Sequence, residues 1–176
     1  LKGAGLARYL VALGSNVRHR RHGPPARIVA AAVRALNGGD LAVTAVSGTM
    51  RSRPVGPSAR EYANAAVVLE ASLDPPELLA RLKALERSFG RRRGGPRWGP
   101  RVLDCDIVLW SEGRFIGSDL RVPHREYEWR EFVLGPAAEI AGDWRDPVSG
   151  RTVRQARARL TRPRPVPRSR RSRAGP

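Results

Sequence analysis

The chain predicts an α+β sandwich, a mostly antiparallel sheet with helices on one face and an active site on the other. Three observations predict it. Apolar runs of strand length alternate with two longer stretches of helical periodicity in the order β-α-β-β-α-β, the order of a ferredoxin-like fold. Two helices are enough to cover one face of such a sheet and leave the other for a ligand. A length of 176 residues with 41% hydrophobic content suits one compact domain with a real core.

The elements follow in order. ARYLVAL (7–13) is a short apolar run that ends in the turn residues Gly14-Ser15-Asn16, a first strand. After the polar loop HRRHGPP, Pro24 and Pro25 are suited to open a helix. Ile28, Val29, Ala32, Val33 and Leu36 then recur at helical spacing, and Asn37-Gly38-Gly39 ends the run. LAVTAVS (41–47) and NAAVVLEAS (64–72) are the second and third strands. Between them lies SGTMRSRPVGPSAREY, rich in Gly, Pro and Arg and long enough to be a functional loop. In DPPELLARLKALERSFG, Asp74 caps a second helix, Pro75 opens it and Glu77 completes an Asp-x-x-Glu capping box. Leu78, Leu82, Leu85 and Phe89 form its buried stripe, and Gly90 closes it. The loop RRRGGPRWGPR leads into the last strand, and EWREFVLGPAAEIA suggests a short helical segment near the end of the body.

Charge and composition narrow the function. The formal charge is +17, but ten arginines and no acid fall from Arg151 onward, which leaves +7 on residues 1–150. The predicted domain is therefore 1–150. The Arg/Pro-rich stretch 151–176 has few apolar side chains to offset its ordering entropy and is expected to be a disordered tail, binding nucleic acid only non-specifically. The remaining positive charge favours an anionic ligand for the body. No apolar run reaches the roughly 18–20 residues of a membrane span, and none is flanked like a signal peptide. The single cysteine, Cys105, excludes an intramolecular disulfide. A soluble, cytoplasmic, monomeric protein is the expectation.

The stretch RWGPRVLDCDIVLW (97–110) carries the chemistry. Side chains alternate across a strand, so Leu103, Cys105, Ile107 and Leu109 are expected in the core and Asp104 and Asp106 on the opposite face. Their Cα atoms should lie about 6.6 Å apart. With the carboxyl groups at about 5 Å and an effective dielectric near 20, their repulsion is roughly 3 kcal/mol. Arg97 and Arg101 offset that in an ion-pair cluster; a divalent cation offsets it equally well, and the residues alone leave both open. Two carboxylates without His or Cys suit Mg²⁺, which takes one or two carboxylates and completes its shell with substrate phosphates. Gly permits close backbone approach and Arg binds phosphate oxygens with two donors, so Arg91, Arg93, Arg97 and Arg101 are candidate phosphate ligands.

RWGPRVLDCDIVLW also resembles the signature of the 6-hydroxymethyl-7,8-dihydropterin pyrophosphokinases of folate biosynthesis. ALGSN, RPVGP, EYANAAVVLEASL, ALERSFGR and VPHREYEWREFVLGPAAEIA fall in that family's order, so the resemblance covers about residues 8–142. It implies transfer of pyrophosphate from ATP to the hydroxymethyl group of a reduced pterin, releasing AMP. It implies two Mg²⁺ ions bound with ATP on Asp104 and Asp106, and a catalytic set completed by Arg91 and Arg101. It places Glu86, His124 and Arg130 with Arg91, Arg93, Arg97 and Arg101 around ATP. It places the pterin between Tyr62 and Phe132, its edge read by Asn64, with Ser52, Pro54, Val55, Trp98 and Asp104 around it. An aromatic sandwich suits a flat heterocycle. Met50, Ser52, Cys105 and Arg125 depart from the family's usual residues, and no matched metal or stacking residue is lost. The alternatives are a basic RNA-binding module of the same fold, against which the two aspartates on the free face speak, and a non-catalytic relative.

Overall fold

The computed structural model describes residues 5–53, 60–90 and 101–163. Its elements are β1 (Ala7–Ser15), α1 (Pro25–Leu36), β2 (Leu41–Val46), β3 (Met50–Ser52), β4 (Tyr62–Ala71), α2 (Pro75–Ser88) and β5 (Asp104–Trp110). A small hairpin follows, β6 (Phe115–Ile116) and β7 (Arg121–Val122), then a 3-10 turn at Tyr127–Trp129, α3 (Glu131–Ala141) and α4 (Val153–Thr161). The main sheet runs β2-β4-β1-β5, every pair antiparallel, with β3 also on β4. This is the predicted ferredoxin-like order, with β1 and β4 at the centre.

Alternation sorts the side chains. Tyr9, Val11 and Leu13 of β1, Val67 and Leu69 of β4, and Cys105 and Ile107 of β5 point to one face. There they pack on Ile28, Ala32 and Leu36 of α1 and on Leu78 and Leu82 of α2. The helix starts are as expected. Pro25 opens α1, and the Asp74 carboxylate accepts from the Glu77 N–H at 2.9 Å while Glu77 returns the bond to the Asp74 N–H at 2.8 Å. Losing such a cap costs about 1 kcal/mol.

Five expectations need correction. First, the second sheet face is not bare. Leu10, Ala66, Val68, Val108 and Leu109 pack there on Val133, Leu134 and Ala137 of α3, with Val153 and Ala156 of α4 in the same cluster. The free surface is the remaining end of that face. Second, Leu109 does not share a face with Cys105. Leu10 pairs with Leu109 but Val11 with Ile107, so Val108 is an extra residue that flips the alternation. Third, part of the Gly/Pro/Arg-rich loop is a strand. At ten residues β4 outruns the six of β2, and its Tyr62–Asn64 end pairs with β3. Fourth, the 128–141 segment is not one continuous helix: Glu128 and Trp129 belong to the 3-10 turn, and the α-helix starts at Glu131. Fifth, the arginine-rich stretch does not lose order at Arg151. Thr152 and Gln155 form a capping box, and Val153 and Ala156 give α4 a buried stripe. Residues 164–176 lie outside the described residues.

Candidate active site

The uncovered end of the second face is a cavity of about 470 Å³. It exists because the central strand has almost no side chains there. Ala12 and Gly14 form its floor, Ala12 between Ala66 and Asp106 and Gly14 between Asn64 and Asp104 in register. On β4, Tyr62 and Asn64 are two residues apart and face the same cavity. Asn64 is buried, and its amide donates to the Ser52 hydroxyl at 2.8 Å and the Met50 carbonyl at 3.4 Å. Ser52 and Arg53 thus join the wall beside it.

Asp104 and Asp106 enter from β5, both half-buried. The Arg101 guanidinium donates to Asp104 at 2.6 Å. The Arg101 backbone is clamped by Asn16, which accepts its N–H at 2.8 Å and donates to its carbonyl at 3.1 Å. The opposite wall is the turn before α3, carrying Glu126, Trp129 and Arg130, and the first turn of α3 itself, carrying Phe132 and Val133. Arg130 pairs with Glu126 and lies over the Phe132 ring, 5.8 Å from its centroid. The cavity therefore combines three aromatic side chains, an amide, three arginines and three carboxylates in one space.

Of the predicted site residues, Ser52, Tyr62, Asn64, Arg101, Asp104, Asp106, Arg130 and Phe132 are brought together here. Arg91, Arg93, Arg97, Trp98, Pro54 and Val55 lie outside the described residues. Two residues sit elsewhere. Glu86 is 0% exposed, and its carboxylate accepts from the Cys105 N–H at 2.9 Å and from the Lys83 ammonium at 2.8 Å. Because β5 is an edge strand among the described residues, Glu86 satisfies an edge N–H between the two aspartates and so supports the strand. His124 does not line the cavity. Its Nδ1 accepts from the Glu126 N–H at 3.2 Å, which starts the turn that carries Arg130. Burial, then Glu86 and Asp104, push the Cys105 thiol well up, so it stays neutral and serves as packing.

The residues missed from sequence are Ala12, Leu13, Gly14, Arg53, Glu126, Trp129 and Val133. The small residues at alternate positions 12 and 14 of the first strand were a usable signal; the 67% exposure of Trp129 beside the cavity was not readable without the turn.

No ion is part of the structure, so the fit to a metal rests on donor chemistry. Among the described residues no three His, Cys, Asp or Glu side chains cluster as a self-sufficient metal site. Two carboxylates in an open, arginine-lined cavity fit a hard cation that brings phosphate oxygens with it.

The family model for 7,8-dihydro-6-hydroxymethylpterin-pyrophosphokinase (HPPK) matches residues 10–142. The chain belongs to this family. Among curated HPPK relatives, the chain is similar to the 2-amino-4-hydroxy-6-hydroxymethyldihydropteridine pyrophosphokinase of Synechocystis sp., 45% identical over 115 residues. That match covers 65% of this chain and 58% of the Synechocystis protein, so it spans little more than half of that relative's length. The enzyme of the same name from Methylorubrum extorquens is 37% identical over 157 residues, covering 88% of this chain and 94% of the relative. Among solved structures, that of Plasmodium falciparum HPPK-DHPS with pteroate shares the fold at TM-score 0.61 and 11% identity, covering 88% of this chain and 42% of that one. No helix among the described residues is long and apolar enough to cross a membrane.

Proposed function

We propose that this chain carries out the reaction its HPPK family is named for, ATP-dependent transfer of pyrophosphate to a reduced 6-hydroxymethylpterin, giving the pterin diphosphate and AMP. The observation that carries the reading is the meeting of Asp104 and Asp106 with Tyr62, Asn64 and Phe132 in one arginine-lined cavity. Tyr62 and Phe132 present aromatic faces to a flat heterocycle, and Asn64 offers a donor and an acceptor to its edge. Ala12 and Gly14 leave room for the ligand against the strand. Arg53, Arg101 and Arg130 take phosphate oxygens.

Asp104 and Asp106 are the residues that would hold Mg²⁺, two ions in this reading, and the bound metal would neutralise phosphate charge. The Arg101 guanidinium, held on Asp104 in this structure, would exchange that carboxylate for the triphosphate. The pterin hydroxymethyl oxygen forms a bond to the β-phosphorus as the bond to the α-phosphate oxygen breaks. AMP leaves and the hydroxyl proton passes to solvent. No side chain forms a covalent bond; positioning and charge neutralisation supply the rate.

The test is AMP release by the purified chain with ATP, Mg²⁺ and the reduced pterin. AMP should form only with all three present, and Asp104→Ala or Asp106→Ala should lower turnover by more than about a hundredfold with an unchanged fold. ATP consumption independent of the pterin, or near-normal turnover in either variant, would refute the reading.

A further inference from the structure

The cavity's outer wall is built from one short segment with two faces. From Glu126 to Val133, the side chains of Trp129, Arg130 and Phe132 line the cavity. Those of Tyr127, Glu128 and Glu131 are held from behind, each by a residue after position 142. The Tyr127 hydroxyl donates to Asp146 at 2.7 Å, and both residues are only 3% exposed. The second oxygen of Asp146 accepts from the N–H groups of Val148 and Ser149, closing the turn that leads into α4. Arg151 approaches Glu128 at 3.8 Å. Arg157 of α4 donates from Nε to Glu131 at 2.9 Å. The other Glu131 oxygen is buried and has no hydrogen-bond partner among the described residues, so the Arg157 bond matters to where this carboxylate sits.

The geometry also ties the wall to the β3 side of the site. A side chain added at Gly135 would meet Met50 Sδ at 3.0 Å, Glu131 Oε1 at 3.3 Å and Arg157 at 3.8 Å. Met50 of β3 and the Glu131–Arg157 pair therefore converge on one spot of α3. All three anchors, Asp146, Arg151 and Arg157, lie beyond the residues 10–142 that define the family match.

We propose that residues 143–161 are a back-plate for the pterin site, in which Arg157, acting through Glu131, and Asp146, acting through Tyr127, are positioning residues for Phe132 and Arg130. The inference rests on the functional reading above. A ring that must stack on a second ring tolerates little displacement, so loosening the plate should weaken pterin binding more than the chemical step.

Steady-state kinetics test this. Arg157→Ala should raise the KM for the reduced pterin about three- to tenfold while kcat changes less than about twofold, a split that a uniformly destabilised enzyme does not show. Arg157→Lys, which keeps a cation within reach of Glu131, should recover most of the loss. Should Arg157→Ala fail to fold, Glu131→Gln against wild type decides: a rise in pterin KM beyond about twofold upholds the role, and no rise overturns it. An unchanged pterin KM in folded Arg157→Ala, or a Lys variant no better than Ala, overturns it while wild-type AMP release stands. A wild-type chain that releases no AMP overturns the functional reading, and this inference with it.

Discussion

At the residue scale, the cavity is a consequence of what β1 lacks. Residues 10, 12 and 14 share its ligand-side face; Leu10 packs under α3, while Ala12 and Gly14 leave a floor at backbone level. A methyl group at Gly14 would only reach Asn64 Oδ1 at 3.5 Å, an ordinary contact. Gly14→Ala should therefore keep the melting temperature within about 2 °C and retain measurable activity, whereas Ala12→Leu should fill the cavity and abolish pterin binding without unfolding the chain. Calorimetric titration with the reduced pterin checks both; wild-type affinity in Ala12→Leu would show that the ligand does not lie on this floor. Much of this chemistry was legible from sequence. Asp104 and Asp106 were readable because strand alternation is local; Tyr62 and Asn64 were readable only through the family resemblance, since Tyr62 read as the end of a loop. The depth of Glu86 was not legible, because its place in the linear motif says nothing of burial: only the packing of α2 on the edge of β5 shows that the carboxylate faces a backbone N–H.

At the element scale, β5 needs that support. Among the described residues it pairs with β1 on one side only, yet it carries two neighbouring carboxylates. Glu86→Ala leaves the buried Cys105 N–H without this acceptor and should destabilise the fold by about 1–3 kcal/mol in urea unfolding. Glu86→Gln keeps an acceptor oxygen and should lose much less. Equal stability of the Ala variant and wild type would show that the bond does not hold the strand. The other elements divide by how local their cause is. The capped helices were legible because Asp74, Glu77 and the leucine stripe act within a few residues. The short strand β3 was not, since it forms only because β4 extends past β2. The bulge at Val108 is equally a matter of pairing. In α4 the signals were present, a Thr152–Gln155 box and Val153 and Ala156 three apart, but the density of arginines hid them. The α3 face supplied what they needed, a surface on which to bury.

At the scale of the whole molecule, two layers divide the work. Helices α1 and α2 and the first core hold the sheet, while α3 and α4 cover one end of its other face and leave the other end as the site. The fold order was legible in the sequence because the β-α-β-β-α-β pattern admits few arrangements; the covering of the second face was not, because it depends on where α3 docks. The proposed reaction requires one exchange within this architecture, in which Asp104 would give up Arg101 for a metal-bound nucleotide. The direct measurement is a crystal structure of the chain with Mg²⁺, a non-hydrolysable ATP analogue and the reduced pterin. The predicted result shows Asp104 and Asp106 oxygens in the metal's coordination shell, Arg101 on phosphate and the pterin between Tyr62 and Phe132. A nucleotide bound with the Arg101–Asp104 pair intact and no ion at the aspartates would contradict it.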